Sequence, residues 1–507
     1  MSATDASEVI APRAVGAAAP VLVAGAAVAL AWALGNSDGF LDPTSLAVAT
    51  LAAVAAMSAP IVGRGRRAAE PAAPGRAATW ATVILWVGVA WSIGFDAVVL
   101  PGYEVPRSAL GPFRPVLAGA AIVLLSYAWR RAPPIVRRLR FPAIVLVAVV
   151  LGVVVIRATP RPAIDVWHFE QLGAFAIAHG IDPYLSAYPN IYGPATANYS
   201  AAVLSPDRAY VLGNPYPPLT LLLAVPAALL EADVRWTMLA AVVLSAWAIR
   251  RLGKGSTVAE LAAVLLLVQP RALFVLEQSW TEPTVLAATL LVLLAVASWS
   301  DRSGTGAEGE PRTRGWIAAG LAGALALSSK QYAALVLLPV LFAAPSRGRW
   351  KAALVAIGGA LAIAAPFAIW DLSAFVRSVV AFQIDQPFRN DALSWPALVV
   401  AKGGPILPVW PAFVLAAAYT VVAIRRGLDL GEAPIVGAAA WLVLVLFNKQ
   451  AFCNYYWLAV GLLCSAAAWT GRAEAAAVPA EQGASPAFGS PAPLDATSPD
   501  PSRNVSG

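Results

Sequence analysis

The stretch Pro215-Tyr216-Pro217-Pro218-Leu219-Thr220-Leu221-Leu222-Leu223-Ala224-Val225-Pro226-Ala227-Ala228-Leu229-Leu230 decides how the chain is threaded. It is apolar enough to belong in a bilayer, but Pro215, Pro217 and Pro218 lack amide donors and favour an irregular start. Read as a membrane span, it places Arg250, Arg251 and Lys254 on the outer side. Read as a re-entrant or interfacial helix, it leaves fourteen spans with both termini inside. Cytoplasmic loops carry the excess of Lys and Arg. The second reading gathers Arg64/Arg66/Arg67, Arg130/Arg131/Arg137/Arg138/Arg140, Arg250/Arg251/Lys254, Arg347/Arg349/Lys351 and Arg425/Arg426 on one side. The inner face then carries a net +10 and the outer face −3, which together give the chain's +7. The positive-inside arrangement therefore sets the expected orientation.

On either side of this stretch, apolar runs of near-spanning length cover 15–34, 44–63, 78–100, 110–129 and 141–157. Further runs cover 234–251, 257–276, 283–300, 315–329, 331–345, 351–370, 407–424, 433–447 and 453–470. Residues 315–345 read as two short helices meeting near Lys330, because a single span of that length would be unusually long. The first run lacks a convincing cleavage site and reads as an uncleaved span. Composition agrees: of 507 residues 59% are apolar and only 12% charged, half the charge of an ordinary soluble domain. The expected fold is all-α and polytopic, with about 14 transmembrane helices and an outward-facing first loop, 158–233, that carries amphipathic helices. Residues 1–140 read as an N-terminal four-helix membrane addition and 141–470 as the main membrane domain. The tail 471–507, rich in Pro, Ala and Ser, reads as disordered and cytoplasmic.

Several classes drop out. The charge is spread over inner loops as an orienting signal, which leaves no case for nucleic acid. Cys453 and Cys464 lie in one expected helix about 16 Å apart, beyond disulfide reach. No Cys/His cluster has zinc-ligand spacing, and no metal or other cofactor is expected. Only five of the 35 basic residues are Lys, a bias of GC-rich bacterial genomes, so a bacterial plasma membrane is the expected location.

The outer side holds the informative residues. The sequence Ile164-Asp165-Val166-Trp167-His168-Phe169 opens an amphipathic stretch that ends at His179-Gly180-Ile181-Asp182-Pro183-Tyr184. Asn214-Pro215-Tyr216-Pro217-Pro218-Leu219 follows, then Ser329-Lys330-Gln331, and last Asn448-Lys449-Gln450 with Asn454-Tyr455-Tyr456. Ionisable groups at membrane level are costly and default to function. Together these motifs resemble the GT-C membrane glycosyltransferases, most closely the bacterial polyprenol-phosphate-mannose-dependent α-mannosyltransferase family. The resemblance covers roughly 141–470. It implies transfer of a sugar from a polyprenyl-phosphate carrier to a cell-envelope glycan or glycolipid at the outer leaflet, by inverting displacement. It also implies that an Asp just after a transmembrane helix, here Asp165, is the base. A polyprenyl-phosphate arabinofuranose donor is an alternative within the class. A transporter or flippase of lipid-linked sugar is an alternative outside it, as is a non-catalytic scaffold.

Such chemistry needs a carboxylate to accept the acceptor's proton and positive groups to stabilise the leaving phosphate. Asp165 is the candidate base; its bland alternative is a helix N-cap. Lys330, His168, Arg161, Arg271 and Lys449 are candidates for the donor phosphate. Arg161 could equally pair with bilayer phosphate, and Arg271 with Glu277 or Glu282. Candidates for sugar or acceptor contacts are Glu170, Tyr184, Asn214, Tyr216, Glu282, Gln331, Asn454 and Tyr455. His179 beside Gly180 reads as helix-end chemistry, and the loop 371–406, with Asp371, Arg377, Asp385, Arg389 and Asp391, as a plain solvated loop in preference to one that closes over the site. Lys330→Ala is expected to weaken donor use while leaving the fold intact.

Overall fold

The computed structural model describes residues 18–65, 74–129, 131–303 and 315–472. The tail beyond Arg472, together with Arg66, Arg67 and Arg130, lies outside them. The protein is mostly helical. Five helices open it: α1 (Ala19–Ser37), α2 (Pro43–Gly65), α3 (Pro74–Val98), α4 (Leu110–Ala128) and α5 (Pro134–Ala158). After them come α6 (Asp165–Ala178), α7 (Pro218–Leu229), α8 (Arg235–Leu252), α9 (Thr257–Val268), α10 (Ala272–Glu277) and α11 (Glu282–Ser303). The rest are α12 (Gly315–Leu327), α13 (Ala333–Ala343), α14 (Arg349–Trp370), α15 (Leu372–Val376), a π-helical turn (Arg377–Ala381) and α16 (Phe382–Asp385). The series closes with α17 (Trp395–Ala401), α18 (Trp410–Arg425), α19 (Ala433–Leu446) and α20 (Cys453–Thr470). Two three-residue strands, β1 (Ala187–Pro189) and β2 (Tyr210–Leu212), pair antiparallel between α6 and α7.

Among the described residues seven helices, α1 to α5, α11 and α14, are long and apolar enough to cross a membrane. Their exposed side chains are in keeping with a bilayer. Helix α14 buries only Ala352 and Phe367, while Leu354, Leu361 and Ile369 stand 71%, 64% and 84% exposed. An apolar face of that extent calls for cover by lipid or another protein surface. By contrast every residue of α19, and of α9 after Thr257, is buried. A helix apolar on all sides belongs in the centre of a bundle.

The other seven expected spans are built from shorter or less apolar helices. Residues 257–276 form no single helix: α9 stops at Val268, and Gln269-Pro270-Arg271 turns the chain before α10. Pro270 has no amide to continue the ladder and restricts Gln269 to extended backbone. Residues 315–345 are two helices, α12 and α13, separated by Ser328–Tyr332. The deciding stretch folds as α7, 12 residues from Pro218, about 18 Å long and too short to cross a bilayer alone.

Small residues bring the helices close. A Cβ at Gly88 of α3 would meet Val28 of α1 at 2.5 Å, and one at Gly323 of α12 would meet Ala356 of α14 at 2.8 Å. Such close approach is how helices associate where lipid removes the hydrophobic drive. Helix α1 packs on α2 and α3 and also on α20, and α3 packs on α9. Residues of the first four helices thus share one continuous core with the rest of the chain. Buried charges reinforce it. The Glu260 carboxylate takes Arg140 at 2.8 Å and Arg250 at 3.0 Å, joining α5, α8 and α9. Arg235, fully buried, pairs with Asp233 at 2.7 Å and donates to Thr159 Oγ1 at 2.9 Å. It also reaches the carbonyls of Ile156 and Glu277 at 3.3 and 3.2 Å, closing the C-terminal end of α5.

Candidate functional site

That closure delivers the chain to Asp165. Asp165 is the first helical residue of α6; Ile164 is the N-cap and offers no side chain. The expected cap role is therefore not taken. Instead Oδ1 accepts the Val166 amide at 2.8 Å and the Tyr192 hydroxyl at 3.2 Å, and Oδ2 accepts the Tyr199 hydroxyl at 2.6 Å. Burial pushes the Asp165 carboxyl above its ordinary range, while these donors and Arg389 oppose the rise. The two tyrosines come from the turn after β1. Asn190 holds that turn through the carbonyls of Gly193, at 3.0 Å, and Arg208, at 2.8 Å. Gly193 has φ +79°, which glycine adopts without steric cost.

Asp165 lines a cavity of about 300 Å³. Lys330, Tyr216, Asn454 and Tyr455 of the sequence candidates line it too. Lys330 sits in the turn between α12 and α13. Its ammonium donates to Thr281 Oγ1 at 2.6 Å and to Glu282 Oε1 at 3.2 Å, and lies 4.6 Å from the Tyr216 ring centroid. Glu282, fully buried, also accepts the Tyr332 hydroxyl at 2.7 Å. It acts on the cavity through Lys330.

The remaining candidates lie outside the lining. Arg161 is exposed. His168 is half-buried beside Trp167, ring centroids 5.0 Å apart, and burial holds its imidazole below the ordinary value against the opposing charge of Asp165. Arg271 pairs with neither Glu277 nor Glu282: its partner is Asp38, at the end of α1, with a further bond to the Leu100 carbonyl at 3.1 Å. Lys449 donates to the carbonyls of Ile384 and Gln386 at 2.8 and 2.6 Å. Gln331 does the same for Pro215 and Val379, at 3.1 and 3.0 Å. Asn214 and Tyr184 are fully buried struts: Asn214 donates to the Phe169 carbonyl at 2.8 Å, Tyr184 to the Tyr216 carbonyl at 3.0 Å. Glu170 is fully buried, and among the described residues the Thr220 hydroxyl is the one polar group that reaches its carboxylate. His179 sits at the end of α6, its Nδ1 2.9 Å from the Phe175 carbonyl.

The loop 371–406 is not a plain solvated loop. Phe382, Gln383, Gln386 and Arg389 line the cavity. Arg389 makes a bidentate pair with Asp391, at 2.9 and 2.7 Å, and covers the Phe452 ring at 4.8 Å. The bend arises where Asp371 caps α15 by accepting the Ala374 amide at 2.8 Å, and the π-helical turn follows. The polar lining is completed by Asn198, Gln278 and Gln450, and its aromatic wall by Phe40, Tyr103, Phe274, Trp280 and Phe452. Of these only Gln450 belongs to a quoted motif, Asn448-Lys449-Gln450; the others carry no motif of their own. Among the described residues no three His, Cys, Asp or Glu side chains are grouped as metal ligands.

No family model, curated protein or solved structure matches this chain.

Proposed function

We propose that the protein is a membrane glycosyltransferase that moves a sugar, mannose by resemblance, from a polyprenyl-phosphate donor to a glycan or glycolipid acceptor. The observation that carries this reading is one cavity lined by the Asp165 carboxylate together with Lys330 and Arg389. In the step, an acceptor hydroxyl attacks the anomeric carbon, and its proton passes to Asp165. The bond from that carbon to the phosphate oxygen breaks with its electron pair, and polyprenyl phosphate leaves. A phosphate leaving group needs no protonation. Lys330 spends two donors on Thr281 and Glu282 and keeps a third for an incoming oxygen. The raised affinity of Asp165 for a proton favours it as base. In this reading the chain follows the GT-C plan, crosses a bacterial plasma membrane fourteen times with both termini cytoplasmic, and opens its cavity to the outer leaflet.

The test is transfer of radiolabelled sugar from synthetic polyprenyl-phosphate mannose or arabinofuranose by purified protein. Transfer that disappears in Asp165→Asn is the expected result. Full activity in that variant would overturn the mechanism. Flipping of the lipid-linked sugar without transfer would favour a transporter.

A further inference from the structure

The cavity is closed on one side by residues that lie outside the part of the chain resembling the glycosyltransferases. Phe40 follows α1, and Tyr103 lies between α3 and α4; both line the cavity. Their rings stack at 6.4 Å with 19° between planes. Phe40 meets Phe452 at 5.9 Å, Tyr103 meets Phe274 at 4.7 Å, and Phe274 meets Trp280 at 5.2 Å. Five aromatic side chains thus form one continuous wall. Phe40, Trp280 and Phe452 are partly buried, Phe274 is buried and Tyr103 is 53% exposed.

This wall is held firmly. The Tyr103 hydroxyl donates to Asp38 at 3.0 Å, and Asp38 pairs with Arg271. The Glu277 carboxylate accepts the amides of Tyr103, Glu104 and Val105 at 2.8, 3.0 and 3.1 Å. Glu104 in turn accepts the amide of Ala163, two residues before Asp165, at 2.6 Å. The Leu41 amide donates to the Asp391 carbonyl at 2.8 Å, beside the Arg389–Asp391 pair.

Side-chain amides line the same cavity. Gln383 commits its nitrogen to the Pro215 carbonyl at 3.1 Å, and Gln450 to Gln386 Oε1 at 3.1 Å. Their amide oxygens remain acceptors. Flat apolar rings beside oriented amides match a neutral sugar, whose C–H face packs on a ring while its hydroxyls bond at the edge. A hydrocarbon chain would leave the amides unpaired at a cost. The basic side chains that touch this wall, Arg389 over Phe452 and Arg271 over Phe274, are already paired with Asp391 and Asp38, which disfavours a second phosphate there. We infer that Phe40 and Tyr103 form a subsite for a neutral sugar unit of the acceptor, so that the N-terminal helices set acceptor choice. This rests on the transferase reading above, with the donor phosphate at Lys330 and Arg389.

Saturation-transfer NMR on the full chain in detergent tests it, using soluble methyl disaccharides of mannose, glucose, galactose and arabinofuranose. At least one is expected to bind, with affinity at least fivefold weaker in Phe40→Leu and Tyr103→Ala and retained in Phe40→Tyr. Phe40→Leu keeps apolar bulk but loses the flat ring, so its effect separates stacking from folding. In the transfer assay the same two variants are expected to raise acceptor KM at least fivefold, with donor KM within twofold of the parent. Absence of binding by every disaccharide, or binding and acceptor KM indifferent to both variants, would overturn the subsite while leaving the transferase intact. Binding that depends on Phe40 in a protein that transfers no sugar would remove the transferase reading and keep the sugar site.

Discussion

Tyr199 Oη lies 2.6 Å from Asp165 Oδ2 and donates to it across 34 residues of chain. A hydrogen bond to a carboxylate favours its charged form, so this contact counters the upward push of burial. Removing it in Tyr199→Phe leaves the carboxylate more basic. The base must be ionised to act, so the acid limb of the kcat/KM profile is expected to move upward by about one pH unit, with activity recovered on the alkaline side. That unit corresponds to about tenfold at a pH below the limb. An unmoved limb would separate Tyr199 from the base.

Lys330→Ala does more than weaken donor binding. The ion pair with Glu282 is buried, with Glu282 fully enclosed, so the substitution strands a carboxylate. Breaking such a pair from one side costs roughly 3–5 kcal/mol. The expectation of an intact fold is therefore replaced by a lowered melting temperature in detergent. Lys330→Ala/Glu282→Gln is expected to recover most of that loss while donor KM stays high. A double variant as unstable as the single one would show that the pair is not the cause.

Glu170 makes stability depend on pH. Burial pushes its carboxyl from 4.5 up to about 7, opposed by Thr220 and Lys330 and assisted by Glu282. Between those values the native chain holds a proton that the unfolded chain has released. The contribution is complete below about pH 4.5 and is lost as pH rises through about 7. Glu170→Gln, which keeps the shape without the charge, is expected to flatten the melting-temperature profile over that window and to stabilise the protein at pH 8. A profile unchanged by the substitution would exclude Glu170 as its source.

Glu277→Ala removes the acceptor of three consecutive amides. Hydrogen–deuterium exchange is expected to rise at Tyr103, Glu104 and Val105 while α4 stays protected. Unchanged exchange at those amides would mean that packing alone holds the segment.

What could be read in advance follows physical lines. The long lipid-facing helices and the paired short helices around Lys330 show in the sequence because apolar runs and their polar interruption are local features. Pro270 is equally local, but an apolar tally over 257–276 runs across the helix break it makes. Asp165 stood out by its place just after a helix. Arg389 did not, because its position in the cavity depends on the bend from Asp371 through the π-helical turn. Arg271 was recognised as a membrane-level charge, but its partner Asp38 stands 233 residues away, a pairing no local pattern encodes. Lys449, Gln331 and Asn214 have the polar character of ligands, but they lie outside the cavity lining and donate to backbone carbonyls.

The contact of α1 with α20 sets a timetable for biogenesis. Gly39, at φ +78°, passes so close to Cys453 that any Cβ there would collide with its backbone. Helix α1 leaves the ribosome long before α20, the helix that completes it. At translation speeds of about 5–20 residues per second, Asp38 waits roughly 10–50 s before Arg271 is even synthesised. The seam with α20 closes later still. Until then α1 has neither its buried partner nor its final neighbour, and the nascent chain must be shielded by insertion machinery or by lipid.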